Sequence, residues 1–119
     1  MEKNLQPMLN EEDGDKDSED RFKYQYKEVL LSGDFRHFSK NIHGYITVVK
    51  ISLQGVCFET MRQNNFQQGD ILDISFNLDD GHESLIKRRV TVEWSDEKMV
   101  EAVFYNPPPY DKKLGFYLL

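Results

Sequence analysis

Residues 45–59, Tyr45-Ile46-Thr47-Val48-Val49-Lys50-Ile51, Ser52-Leu53-Gln54-Gly55 and Val56-Cys57-Phe58-Glu59, read as a strand, a tight polar turn and a second strand. Both flanks are rich in β-branched and aromatic residues, which suit a pleated, half-buried surface. Between them, glycine can take the positive backbone angles that such a turn often needs, and its missing side chain leaves room for a flat ligand to approach the backbone. Ser52 is then expected to be free to offer a donor and an acceptor at the lip of a sheet.

The same reading extends in both directions. Leu72, Ile74, Phe76 and Leu78 alternate with Asp73, Ser75 and Asn77, the period of a strand buried on one face. Asp79-Asp80-Gly81-His82 supplies a hairpin turn. A return strand over about residues 84–94 places Val90, Val92 and Trp94 on one face and Arg89, Thr91 and Glu93 on the other, and a turn at 95–98 leads into Met99–Tyr105. Toward the N-terminus, Glu28-Val29-Leu30-Leu31 reads as a first strand or a short helical turn. Ser32-Gly33-Asp34 is expected to break it, and Phe35-Arg36-His37-Phe38 to form a second short strand. Six or so strands at short intervals, with no helical period, indicate an antiparallel barrel or sandwich. Asn106-Pro107-Pro108-Pro109 cannot continue a ladder, and the apolar end from Leu114 to Leu119 is expected to dock on the body.

With 119 residues the chain fits one domain, and its net charge of −6 is unevenly placed. Met1 to Asp20 holds eight acids against Lys3 and Lys16, whereas residues 21–119 carry thirteen acids and thirteen bases. The acidic stretch has too little apolar surface to offset ordering entropy, so residues 1–20 are expected to be a disordered tail and residues 21–119 the folded domain. A neutral body argues against a nucleic-acid polymer as partner, because phosphate-backbone binding needs Lys and Arg gathered on one face. No stretch resembles a secretory leader or a membrane span, which points to a cytoplasmic protein with no membrane association.

Cys57 is the single cysteine, so no internal disulfide or thiolate metal cluster forms, and on an apolar strand it reads as a small buried hydrophobe. His37, His43 and His82 lack metal-ligand spacing and read as surface groups. Neither a nucleophile–His–acid order nor a phosphate-cradling loop is present, so the chain reads as a non-enzyme without a cofactor. Lys87-Arg88-Arg89 reads as edge-strand charges, with a phosphate contact from Arg88 or Arg89 as the alternative.

The turn at Lys50-Ile51-Ser52-Leu53-Gln54-Gly55 resembles the signature of the PilZ domain family, Asp or Asn, any residue, Ser, two residues and Gly, followed by an apolar strand. Ser52 and Gly55 match it; Lys50 stands in the acidic or amide place. The order of a basic arm, the Ser-x-x-Gly turn, a Gly-Asp strand entry and an apolar strand ending on Trp94 is also similar to the family's. The resemblance covers about residues 21–105 and implies a small six-stranded antiparallel β-barrel that binds cyclic di-GMP through an Arg-x-x-x-Arg arm and the turn. Arginine forks suit phosphate and guanine edges, and the turn's polar groups take the other base edge.

Carried onto this chain, the ligand-binding set is Arg21, Lys23, Gln25 and Lys27 in the arm with Lys50, Ser52 and Gly55 in the turn. No two arginines stand four apart in the arm, and lysine lacks the fork and stacking plane of arginine. The resemblance therefore implies a bacterial signalling module, either a weak cyclic di-GMP receptor or an adaptor that binds a protein partner and has lost the nucleotide. Exposed aromatics in the arm and at Tyr105 and Tyr110 suit a protein partner.

Overall fold

The computed structural model describes residues 25–106 and 112–119. The acidic tail expected over residues 1–20, Arg21 and Lys23 of the arm, the three prolines and Tyr110 lie outside the described residues. Six strands, β1 (Lys27–His37), β2 (His43–Ile51), β3 (Gly55–Thr60), β4 (Ile71–Asn77), β5 (Leu85–Ser95) and β6 (Met99–Phe104), are followed by a short helix, α1 (Lys112–Tyr117). They close into a barrel in the order β1-β2-β3-β6-β5-β4, every pairing antiparallel. The expected all-β class and strand number hold, and the barrel is chosen over the sandwich.

Period-two patterning builds the interior. Leu72, Ile74 and Phe76 of β4 and Ile86, Val90 and Val92 of β5 point inward and are buried, as are Ile46, Val48, Val56 and Phe58 across the barrel. Fully burying such a side chain stabilises the fold by about 1.5–3 kcal/mol relative to exposure. Leu114 of α1 is fully buried against this core and Leu118 packs beside it, so the apolar C-terminus docks as expected.

Three local readings are corrected. Residues 32–34 do not break a strand: β1 runs unbroken for 11 residues, and Gly33 lies where a Cβ would be 2.2 Å from the Ser75 carbonyl oxygen of β4. The glycine permits a close strand approach where a turn was expected. The inward row Leu31, Gly33, Phe35 therefore continues to His37, which is 5 % exposed and no surface group. Trp94 also leaves the core row, because a β-bulge between Val92 and Trp94 sets Val92 opposite Ala102 and Trp94 opposite Glu101. Lys87 and Arg88 keep the edge place read for them, since only β4 pairs with them and the β5–β6 ladder starts at Val90, but Arg89 does not stand as a free edge charge. Arg89 instead forks onto Asp73, Nε to Oδ1 at 2.8 Å and Nη2 to Oδ2 at 3.2 Å, and lies 4.5 Å from the Phe38 ring centroid.

Candidate functional site

The arm and the turn meet at one end of the barrel. Antiparallel pairing sets Lys27 opposite Ile51 and Glu28 opposite Lys50, so the start of β1 lies beside the end of β2 and the turn that follows it. Strict alternation from Ile46 and Val48 would send Lys50 into the core. A bulge in β2 between Val48 and Lys50 reverses the parity: Ile51 becomes fully buried and Lys50 is left partly exposed. Its Nζ lies 4.7 Å from the Tyr26 ring centroid, which fastens the last described part of the arm to the turn.

Ser52 does not stand free at the lip. Its side chain is fully buried, and its Oγ accepts from the backbone N–H of Gln54 and of Gly55, each at 3.0 Å, while lying 3.3 Å from the Gly55 carbonyl oxygen as donor. The Ser52 N–H donates to the same carbonyl at 2.9 Å. A short hydroxyl side chain closing its own turn is a local alternative to ladder bonds, and here it uses the donor and acceptor expected for a ligand. Gly55 is likewise buried and faces the β6 backbone at Ala102 and Val103, so its missing side chain makes room for a strand.

Beside this corner runs a shallow groove of about 640 Å³ lined by Glu28, Val29, Leu30, Val49, Lys50 and Asp79. Two carboxylates face one ammonium in it. Gln25 is exposed at the arm's end. Lys27 is engaged by the C-terminus: its Nζ lies 4.0 Å from the Tyr117 ring centroid and 3.4 Å from the Tyr117 carbonyl oxygen. The Tyr117 hydroxyl in turn donates to Asp79 Oδ1, and burial together with that bond pushes its pKa well above the ordinary phenol range. Helix α1 thus ties the arm to the β4–β5 hairpin.

Of the seven sequence-derived site residues, Gln25, Lys27, Lys50, Ser52 and Gly55 fall within the described part and cluster at this end. Lys50 and Gln25 present groups to solvent, Lys27 is shared with α1, and Ser52 and Gly55 serve the turn. Glu28, Tyr26 and Asp79 complete the corner and were missed. A pairing register for the arm against β2 would have found the first two, but Asp79 arrives through barrel closure, which no local pattern encodes.

A barrel of this order, with a Ser-x-x-Gly corner and the start of β1 beside it, belongs to the class of small binding and signalling barrels. Residues 15–116 match the family described as PilZ domain, and the chain belongs to that family. No curated protein matches the chain. PilZ domains are modules of cyclic di-GMP signalling.

Proposed function

We propose that the chain is a PilZ-family adaptor of cyclic di-GMP signalling that acts by binding a protein partner, its turn corner keeping the family's shape without the chemistry that holds the dinucleotide. The observation that carries this reading is the groove beside the turn, where Glu28 and Asp79 outnumber Lys50 while the Ser52 hydroxyl is used up inside the turn. The two phosphodiesters of a cyclic dinucleotide bring negative charge to a place that already holds it, and like charges at short range repel. Lysine at position 50 supplies no acceptor for the N–H groups of guanine. The family implies a cytoplasmic, bacterial setting for this role.

Isothermal titration of the full chain with cyclic di-GMP is expected to give no heat at concentrations up to about 100 μM, and a partner recovered by pull-down is expected with and without the nucleotide alike. A dissociation constant below about 10 μM, or a partner that requires the nucleotide, would sink the adaptor reading.

One observation favours a second reading, a weak receptor. Lys50 Nζ lies 4.7 Å from the Tyr26 ring centroid and Lys27 pairs opposite Ile51, so cations of the arm and of the turn share this end of the barrel. Under it Arg21, Lys23, Gln25 and Lys27 meet the phosphates and one base edge, and Lys50 a phosphate. Loss of measurable heat on Arg21→Ala would support it; unchanged heat would remove it.

A further inference from the structure

We propose that the barrel end opposite the Ser52 turn is a docking face for an acidic protein segment bearing apolar anchors. The proposal rests on the adaptor reading for the existence of a partner and adds to it the face and the chemistry of what binds.

A cleft of about 920 Å³ opens there between the end of β1, the start of β2 and the β3–β4 loop. Its floor is fixed. Phe35 and Phe66 pack edge to face with centroids 5.1 Å apart, and buried His37 lies beside them. His37 Nδ1 accepts from the N–H of Ser39 and of Lys40, each at 3.2 Å, which leaves Nε2 to carry the ring proton. Nε2 lies 3.4 Å from Asp70 Oδ2 without hydrogen-bond geometry, so one imidazole sits between the β1–β2 turn and the entry to β4. Asn64 Nδ2 donates to the Glu97 carbonyl at 3.1 Å and Thr60 Oγ1 to the Arg62 carbonyl at 2.6 Å, which hold the β3–β4 loop. A face already ordered loses little entropy when it binds.

Around this floor Ile42, Tyr45 and Met61 are 46 %, 69 % and 67 % exposed, and the Met61 N–H donates to the Tyr45 carbonyl at 3.3 Å. Single exposed apolar residues are ordinary, but three bordering one cleft suit a partner's anchors. The cations Arg36, Lys40 and Arg62 line the same cleft, and none makes an ion pair with another described residue, in contrast to Arg89 on Asp73. Asp34 and Asp70 oppose them, but Asp70 Oδ2 is occupied by the Gln67 N–H and the approach of His37.

At this end of the barrel residues 33–36 of β1 pair with β2 on one side and β4 on the other, so β1 offers no edge here to which a partner could add a strand. It must be held by side chains. Carboxylates on Arg36, Lys40 and Arg62 with apolar groups on Ile42, Tyr45 and Met61 use both halves of the face, whereas a phosphate backbone would leave the apolar rim uncovered.

The test is an amide NMR titration of the full labelled chain with a synthetic peptide of two Phe-Leu pairs flanked by glutamates, run beside the same peptide with lysines in place of the glutamates. The acidic peptide is expected to shift Ile42, Tyr45 and Met61 saturably, less at high salt, and the basic peptide to leave them unmoved. Arg36→Glu with Arg62→Glu should weaken binding about tenfold or more, while Lys50→Glu at the other end leaves it unchanged. Both arginines are exposed, so spectra elsewhere should match the parent chain. No shift at those residues with about 1 mM acidic peptide overturns the proposal, as does an equal response to both peptides. Broadening of the same amides with protein concentration alone, the sign of a second copy on the face, overturns it too. If a partner protein is still captured by the double arginine variant but lost with Lys50→Glu, the adaptor reading stands and this face falls.

Discussion

A Cβ built on Gly55 would lie 2.2 Å from the carbonyl oxygen of Ala102 on the neighbouring strand. No side-chain carbon tolerates that approach, and both partners are backbone held in the β3–β6 ladder, where Gly55 pairs with Val103 and Val56 with Ala102. Gly55→Ala is therefore expected to force these strands apart and cost about 3 kcal/mol, read as a lower midpoint in urea unfolding. A loss under about 1 kcal/mol would show that the ladder yields easily and that the glycine serves something other than strand packing.

The Ser52 hydroxyl makes a related prediction with a different cause. Ser52→Ala leaves volume almost unchanged but strands the Gln54 and Gly55 N–H groups that the hydroxyl now accepts from. Leaving a buried donor unsatisfied costs about 1–3 kcal/mol, so a destabilisation of about 2 kcal/mol is expected, with the amide signals of Gln54 and Gly55 moving most. A neutral substitution would mean that water replaces the hydroxyl, and that the turn is more open than its burial implies.

Cys57 lies on β3, 4 % exposed, with its thiol pKa pushed up to about 12 by burial first and by the nearby Glu101 carboxylate next. The thiolate is the reactive form, so a thiol reagent at neutral pH is expected to label the folded chain only at the rate of unfolding. Labelling that is complete within seconds under native conditions would contradict this.

Asp80 organises the β4–β5 hairpin tip. One carboxylate oxygen accepts from the His82 and Ser84 N–H groups at 3.1 and 3.2 Å, and the other accepts from the Ser84 hydroxyl at 2.7 Å. These bonds, the Ser84 hydroxyl foremost, lower its pKa to about 2. A depressed carboxylate contributes stability that is present above its unfolded value and lost as pH falls through the folded one. The Ser84 and His82 amides should therefore hold their native shifts down to about pH 3 and move with a midpoint near 2. Asp80→Asn should abolish that step. A midpoint near 4 in the parent chain would show that the tip bonds do not bind the ionised form preferentially.

Period-two patterning made β4 and most of β5 legible, because each is buried on one face and the alternation is written directly in residues 72–78 and 86–92. The turn at Ser52 was legible as a turn, since small polar residues and glycine between two apolar runs have few other uses. What misled was bulges and close approaches. Gly33 looks like punctuation but serves the β1–β4 contact, and His37, read as a surface group for want of metal-ligand spacing, lies on the inward row that continues past it. The Trp94 position was lost to a single extra residue in β5. The electrostatics of the site were hidden for a different reason: Glu28 and Asp79 reach the Lys50 groove through pairing and barrel closure, so they are remote from the turn in sequence and adjacent to it in space.

The same electrostatics define the sharpest test of why the family's ligand is not expected to bind well. Gln25→Arg would place a second arginine four residues after Arg21, and Lys50→Asn would return an amide acceptor to the turn, the ammonium it takes from the Glu28 and Asp79 groove being made up in number by the new guanidinium. Each change restores one half of the recognition logic, forks for phosphate and an acceptor for the guanine edge. The double variant is expected to bind cyclic di-GMP at least about tenfold more tightly than the parent chain by isothermal titration, and each single variant less so. If the double variant gains nothing, residue identity at those two places is not the deficit. Adding Glu28→Gln then separates the causes: binding that appears only with this third change assigns the block to the carboxylates of the groove, whereas continued absence assigns it to the closed Ser52 turn and to Lys27 held by Tyr117.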